Sequence, residues 1–168
     1  DLGIVEMGAN HPGEIEALCK IADPDYGIIT NIGRAHLEGF GSFEGIKQTK
    51  AELYKYISAK NGTVFYNSDD LILRELSREL QGKVSYGSSG ADVIGEPLSV
   101  PPYLHVRISF PENLYIKTGL TGMYNFYNVM AAACIGRYFG VAPARIAGAI
   151  ENYIPENNRS QIIKKGDL

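Results

Sequence analysis

The first half of the chain alternates short apolar runs with stretches of helical period. Leu2–Met7 is an apolar run closed by Gly8, the pattern of a strand buried on both faces. A helix is then expected with Pro12 at its first position and Glu14 in its first turn. Its apolar positions Ile15, Leu18, Cys19 and Ala22 follow the i, i+3, i+4, i+7 spacing of one buried stripe. Tyr26–Ile32 reads as the second strand, and Gly33–Ser42 as a Gly-rich loop. Phe43–Ile57 reads as the second helix, Thr63–Tyr66 as a strand, Leu71–Leu80 as a helix and Lys83–Tyr86 as a short strand. Strands alternating with helices predict βαβ units and a mostly parallel sheet flanked by helices.

The pattern changes after Gly90. Asp92–Pro97, Tyr103–Phe110 and Leu114–Thr118 alternate apolar and polar residues with turn residues between them. That predicts a small antiparallel subdomain, at about residues 91–119. Tyr124–Phe139 and Pro143–Tyr153 then read as two helices. The fold class expected is α/β with this antiparallel β addition.

Composition narrows the function classes. The 168 residues suffice for one domain with a real core. A net charge of −3 gives no polybasic signal for nucleic acid or an anionic membrane. No apolar run approaches the ~20 residues of a membrane span. Cys19 and Cys134 sit inside helical apolar patterns without metal-type spacing, so both are expected as buried thiols in a reducing, cytoplasmic setting. The chain contains no G-x-x-x-x-G-K-[ST] phosphate loop, no G-x-G-x-x-G fingerprint and no plausible nucleophile elbow.

Several residues stand out against that background. Glu6 places a carboxylate inside an apolar strand near its carboxyl end, where ligands collect in open α/β sheets. It needs a cation, a backbone donor or a metal. His36 lies in the loop TNIGRAHLEGFGS (30–42), and its imidazole suits a metal or a phosphate as well as an ordinary loop role. On a wheel of about 100° per residue, Phe43, Ile46, Leu53, Tyr54 and Ile57 fall in one arc, and Lys50 lies near its centre. Lys47 falls beyond the edge of the arc and Lys55 points away. Such a lysine snorkels, pairs or loses its charge, and a neutral amine can add carbon dioxide to become an anionic metal ligand.

Asn125 and Asn128 stand three apart at a helix start, on one face. Their carboxamides suit the amino and ring-nitrogen edge of adenine, or a capping role. Arg159, in NNRSQ (157–161), offers a guanidinium for phosphate or a solvated loop side chain.

Taken in order, VEMGANHPGEI (5–15), TNIGRAHLEGFGS (30–42), KAEL (50–53), GMYNFYN (122–128) and NNRSQ (157–161) resemble the Mur ligase family. The likeness runs nearly the whole length and is weakest over 58–118. The first two motifs carry the specificity. The resemblance implies that residues 1–168 are most of the central ATP-binding domain of a three-domain ligase. It further implies that a phosphate loop precedes Asp1, that an N-terminal UDP-binding domain and a C-terminal domain lie outside the chain, and that the isolated piece is inactive. It implies ATP and Mg²⁺ as cofactors, with UDP-N-acetylmuramoyl-tripeptide and D-alanyl-D-alanine as small-molecule substrates joined through an acyl phosphate. Carried over by motif, Glu6 binds the magnesium at the ATP phosphates, and His36 and a carbamylated Lys50, closest to the chemistry, hold a second magnesium. Asn125 and Asn128 contact adenine, Arg159 lies near the phosphates, and Asn10 faces the muramoyl-peptide. In the isolated chain Lys50 is expected as an ordinary amine. Another ATP-dependent amide ligase of related type, or a catalytically silent scaffold, are the competing readings.

Overall fold

A computed structural model describes residues 2–33, 40–109 and 112–155. The chain divides into two units, Asp1–Val84 and Ser85–Leu168, with the boundary inside one strand.

In the first unit, α1 spans Glu14–Ala22. Glu14 and Glu16 in its first turn and Lys20 in its last complement the helix dipole. Pro12 falls before the helix instead of at its first position, because Gly13, at φ 85°, turns the chain into it. Ile15 and Cys19 are buried as the stripe predicts, whereas Ala22 at the end of the helix is exposed. Strand β1, Tyr26–Ile28, pairs in parallel with β2, Thr63–Asn67, in the register Tyr26↔Thr63. The expected second strand is therefore four residues shorter than Tyr26–Ile32.

Helix α2 spans Phe43–Ala59, and its Ser42 cap accepts the Gly45 amide at 3.0 Å. Its inner face buries Ile46, Tyr54 and Ile57 with Ile29, Ile32, Val64 and Leu73. The Tyr54 hydroxyl donates to the Phe65 carbonyl at 3.0 Å, so the phenol enters the core satisfied. Gly27 lets α2 approach β1 closely, since a Cβ there would push the Ile57 side chain aside. Helix α3, Leu71–Leu76, starts from Asp70, whose carboxylate accepts the Ile72 and Leu73 amides. It ends short of Leu80.

The expected opening strand does not form. Residues 2–9 form no strand, and Leu2, Ile4 and Val5 are exposed, Ile4 by 90%. A strand is stable only when a neighbour accepts its ladder of hydrogen bonds. No described strand pairs with this segment, so its apolar pattern alone makes no strand. Glu6 is therefore an exposed carboxylate and not a buried one.

The second unit contains β4, Val93–Ser99, β5, His105–Ser109, and β6, Asn113–Lys117, in an antiparallel meander with Gly95↔Ile108 and Val106↔Ile116 in register. Strand β3, Lys83–Gly87, pairs in parallel with β4 over only Tyr86↔Val93 and Gly87↔Ile94. So short a return is held by Asp92, whose carboxylate accepts both the amide and the hydroxyl of Ser85, at 2.8 and 2.7 Å. The six described strands thus form parallel and antiparallel pairings, as the change of pattern after Gly90 predicts.

Helix α4, Tyr124–Tyr138, buries Phe126, Val129, Met130, Ala133 and Cys134. Met130 packs where Gly95 leaves room on β4. Helix α5, Pro143–Glu151, begins with its proline and buries Ile146. Both cysteines are free and buried; desolvation lifts the Cys134 thiol to about 12 and also raises that of Cys19. Among the described residues no helix is long and apolar enough to cross a membrane.

Candidate functional site

Lys50 is where the sequence reading and the structure meet most closely. It lies on the α2 face between the core residues Ile46 and Tyr54, and it is half-buried. Its ammonium donates to the Asn31 carbonyl at 2.8 Å. Asn31 follows β1, so the amine sits at the carboxyl end of a parallel strand, where α/β folds gather ligands. A carbonyl is a neutral partner and only partly replaces lost hydration. Burial accordingly pulls the Lys50 pKa below that of a free lysine. The result is an amine that gives up its proton more readily than a surface lysine.

Lys47 lies one turn away and points elsewhere: its ammonium pairs with Glu75 at 3.2 Å. Lys55 is exposed. The wheel therefore separated the three lysines correctly.

The turn before α1 is shaped by carboxylates. Glu14 accepts the amide of Asn10 at 2.6 Å and that of His11 at 3.1 Å, with a further contact to the His11 ring at 3.2 Å. These hydrogen bonds to its charged form hold the Glu14 carboxyl below its usual range, the Asn10 amide contributing most. Asn10 itself is exposed, with its side chain available at the tip of the turn. From α2, Glu52 accepts the amides of Gly13 and Glu16 at 2.8 and 3.0 Å. Two of the N–H groups that open α1 are thus occupied by a carboxylate of the same chain. Sequence reasoning missed Glu52. The only trace of it is an acidic residue two positions past Lys50, with nothing local to show that it reaches a turn 36 residues away.

In the second unit, Asn125 and Asn128 do share a face. The Asn128 amide donates to the Asn125 carbonyl oxygen at 3.1 Å, and the Asn125 amide donates to the Thr121 carbonyl at 2.8 Å. Asn125 is buried and Asn128 exposed, which makes a short relay from a fixed backbone to a presented carboxamide. Asn125 does not cap the helix: the residue before α4 is Met123 and no side chain caps it.

His36 and Arg159 lie outside the described residues. Among the described residues no group of three or more His, Cys, Asp or Glu side chains converges to hold a metal.

Comparison with known proteins adds a second line. The profile of the Mur ligase middle domain matches residues 1–136. The chain is 29% identical to the UDP-N-acetylmuramoyl-tripeptide–D-alanyl-D-alanine ligase of Bacillus subtilis over 98% of its own length and 35% of that protein's. It is 33% identical to the Mycobacterium tuberculosis ligase of the same name, over 99% of this chain and 34% of the relative. Among solved structures, MurF from Acinetobacter baumannii superposes with a TM-score of 0.84 at 29% identity, covering 95% of this chain and 36% of that one. MurF ligase from Thermotoga maritima, solved in complex with ADP, gives 0.73 at 28% identity, over 90% and 36% of the two chains. A pseudomurein peptide ligase from Methanothermus fervidus shares the fold, with a TM-score of 0.68 at 18% identity. The chain spans about a third of the length of the curated relatives it matches.

Proposed function

The chain belongs to the Mur ligase family, matched through that family's middle domain, and from this premise we propose that it serves as the central ATP-binding part of a UDP-N-acetylmuramoyl-tripeptide–D-alanyl-D-alanine ligase. In this reading the carboxylate of the muramoyl-tripeptide takes the γ-phosphoryl group of ATP, releasing ADP. The amine of D-alanyl-D-alanine then attacks the acyl carbon. The new amide forms as inorganic phosphate leaves, and the amine gives up a proton. The antiparallel strands between about 91 and 119 are the small subdomain of this central part. The reaction takes place in the cytoplasm.

The observation that carries the reading is the Lys50 amine at the carboxyl end of β1, half-buried and, among the described residues, with a neutral hydrogen-bond partner only. A depressed pKa raises the neutral fraction, and a neutral amine is what adds carbon dioxide to give a carbamate. Magnesium, when bound, neutralises phosphate charge and aligns the acceptor carboxylate. It keeps several water and phosphate ligands and takes only one or two from protein. Glu6, an exposed carboxylate, is proposed for the magnesium at the ATP phosphates, and His36 with a carbamylated Lys50 for a second magnesium. Asn125 and Asn128, hydrogen-bonded to each other on one helix face, are assigned to adenine, whose edge a carboxamide can match by donating and accepting. Arg159 is assigned to the phosphates and Asn10 to the muramoyl-peptide. Phosphoryl transfer needs positioning and charge neutralisation more than a protein nucleophile, which agrees with a chain holding no nucleophile elbow.

The test is phosphate release by the complete ligase. It is expected only when ATP, the UDP-linked tripeptide and D-alanyl-D-alanine are all present. Equal release with a different amino acid or with glutamate as acceptor would move the assignment to another amide ligase. The 168-residue chain alone, with no phosphate-loop motif in its sequence, is expected to bind ATP weakly; micromolar affinity in a titration would overturn that expectation.

A further inference from the structure

Glu52 and Lys50 ride on the same helix, two positions apart, and so project about 200° from each other. Lys50 engages the chain after β1 through the Asn31 carbonyl. Glu52 engages the other helix: its two oxygens accept the Gly13 and Glu16 amides at 2.8 and 3.0 Å. A carboxylate gripping two amides at a helix start fixes the rotation of that helix as well as its position. Gly13 has a positive φ of 85° and no side chain of its own to steady the turn. Glu14 then holds the Asn10 and His11 amides from the other side. The backbone from Asn10 to Glu16 is therefore pinned by two carboxylates, one of them carried by the helix that presents Lys50.

We infer that Glu52 is a positioning residue, which ties the Asn10-bearing turn to the Lys50 helix so that the muramoyl-peptide contact and the phosphoryl-transfer end keep one fixed relation. The inference rests on the ligase reading and deepens it, because it assigns Glu52 to the muramoyl-peptide side and not to the nucleotide.

The experiment compares E52A and E52Q in the complete ligase, with I57V as a variant that trims the core away from the turn. For E52A the KM for UDP-N-acetylmuramoyl-tripeptide is expected to rise about tenfold, with the KM for ATP and kcat within about twofold. E52Q keeps one acceptor oxygen but turns an N–H donor towards the second amide, so it should recover only part of the loss. I57V should leave every KM unchanged. In parallel, exchange of the Gly13 and Glu16 amides is followed in the 168-residue chain. It should quicken about tenfold in E52A while the α2 amides near Tyr54 keep their protection. An unchanged tripeptide KM, or an equal rise in every KM, overturns the positioning role. Unchanged exchange at Gly13 and Glu16 also overturns it. Failure of the wild-type ligase to form product would instead sink the ligase reading, and the exchange arm would then decide alone whether Glu52 holds the turn.

Discussion

Two lysines on or beside α2 sit in opposite electrostatic settings. Lys60, at the carboxyl end of the helix, pairs with Asp23 at 2.7 Å and Asp25 at 3.4 Å, and it also donates to the Asp23 carbonyl. Tyr56 donates to the same Asp23 carboxylate at 2.8 Å. The Asp23 hydrogen bond raises the Lys60 pKa, and its reciprocal lowers that of Asp23. Lys50, nearer the middle of the helix, has among the described residues only the Asn31 carbonyl, and burial lowers its pKa. A cation among carboxylates is locked in its charged form and serves as an anchor. A cation facing a carbonyl and a core is the one that loses its proton most easily, and so is the one suited to chemistry.

The largest expected effect breaks the comparison by function. K50A should lower product formation by the complete ligase roughly 100-fold or more, whereas K60A should change it less than about threefold. Similar losses from both variants, with both proteins folded, would remove the distinction. Next is chemical reactivity. As pH rises, a slow amine-acylating reagent should label Lys50 before Lys60, read by peptide mapping. Labelling of Lys60 first would contradict the settings described above.

Tyr54→Phe then probes what the two lysines share, since Tyr54 sits between them and holds α2 to β2. Leaving the Phe65 carbonyl without its donor should lower unfolding free energy by about 1 kcal/mol. That is measurable by denaturant titration; no change would mean the hydroxyl contributes nothing there.

The smallest effect is the pH dependence of stability, and it carries opposite signs for the two residues. A lysine whose folded pKa is depressed binds fewer protons folded than unfolded. Stability from Lys50 therefore rises as pH climbs from that depressed value towards 10.5. Lys60 is raised, so its contribution is full below 10.5 and is lost as pH rises through its folded value. Comparing K50M and K60M with the parent across alkaline pH should give slopes of opposite sign. The Lys60 difference should shrink in roughly 1 M salt, because its partners are solvent-facing. Slopes of one sign would refute the assignment.

Lys50 was legible before any coordinates because burial of a helix face follows from spacing alone. The arc through Ile46, Tyr54 and Ile57 carries it, and the structure half-buries it there. The switch to antiparallel pairing after Gly90 was legible for a similar reason, since period-two alternation and turn residues are local signals. The same reasoning misled at Leu2–Met7, where an apolar run looks like a buried strand whether or not a neighbour pairs with it. Glu6 inherited that error: its chemistry was argued from a burial that the fold does not provide.

The motifs in order, the helix faces and the family all lie in the linear chain, because each depends on residue identity and short spacing. Which carbonyl meets the Lys50 amine, and that Glu52 takes the Glu16 amide, depend on contacts across 19 and 36 residues. Those contacts arise only when helices and strands pack. A hydrogen bond is directional and falls away within a fraction of an ångström, so no local pattern announces which distant group will complete it.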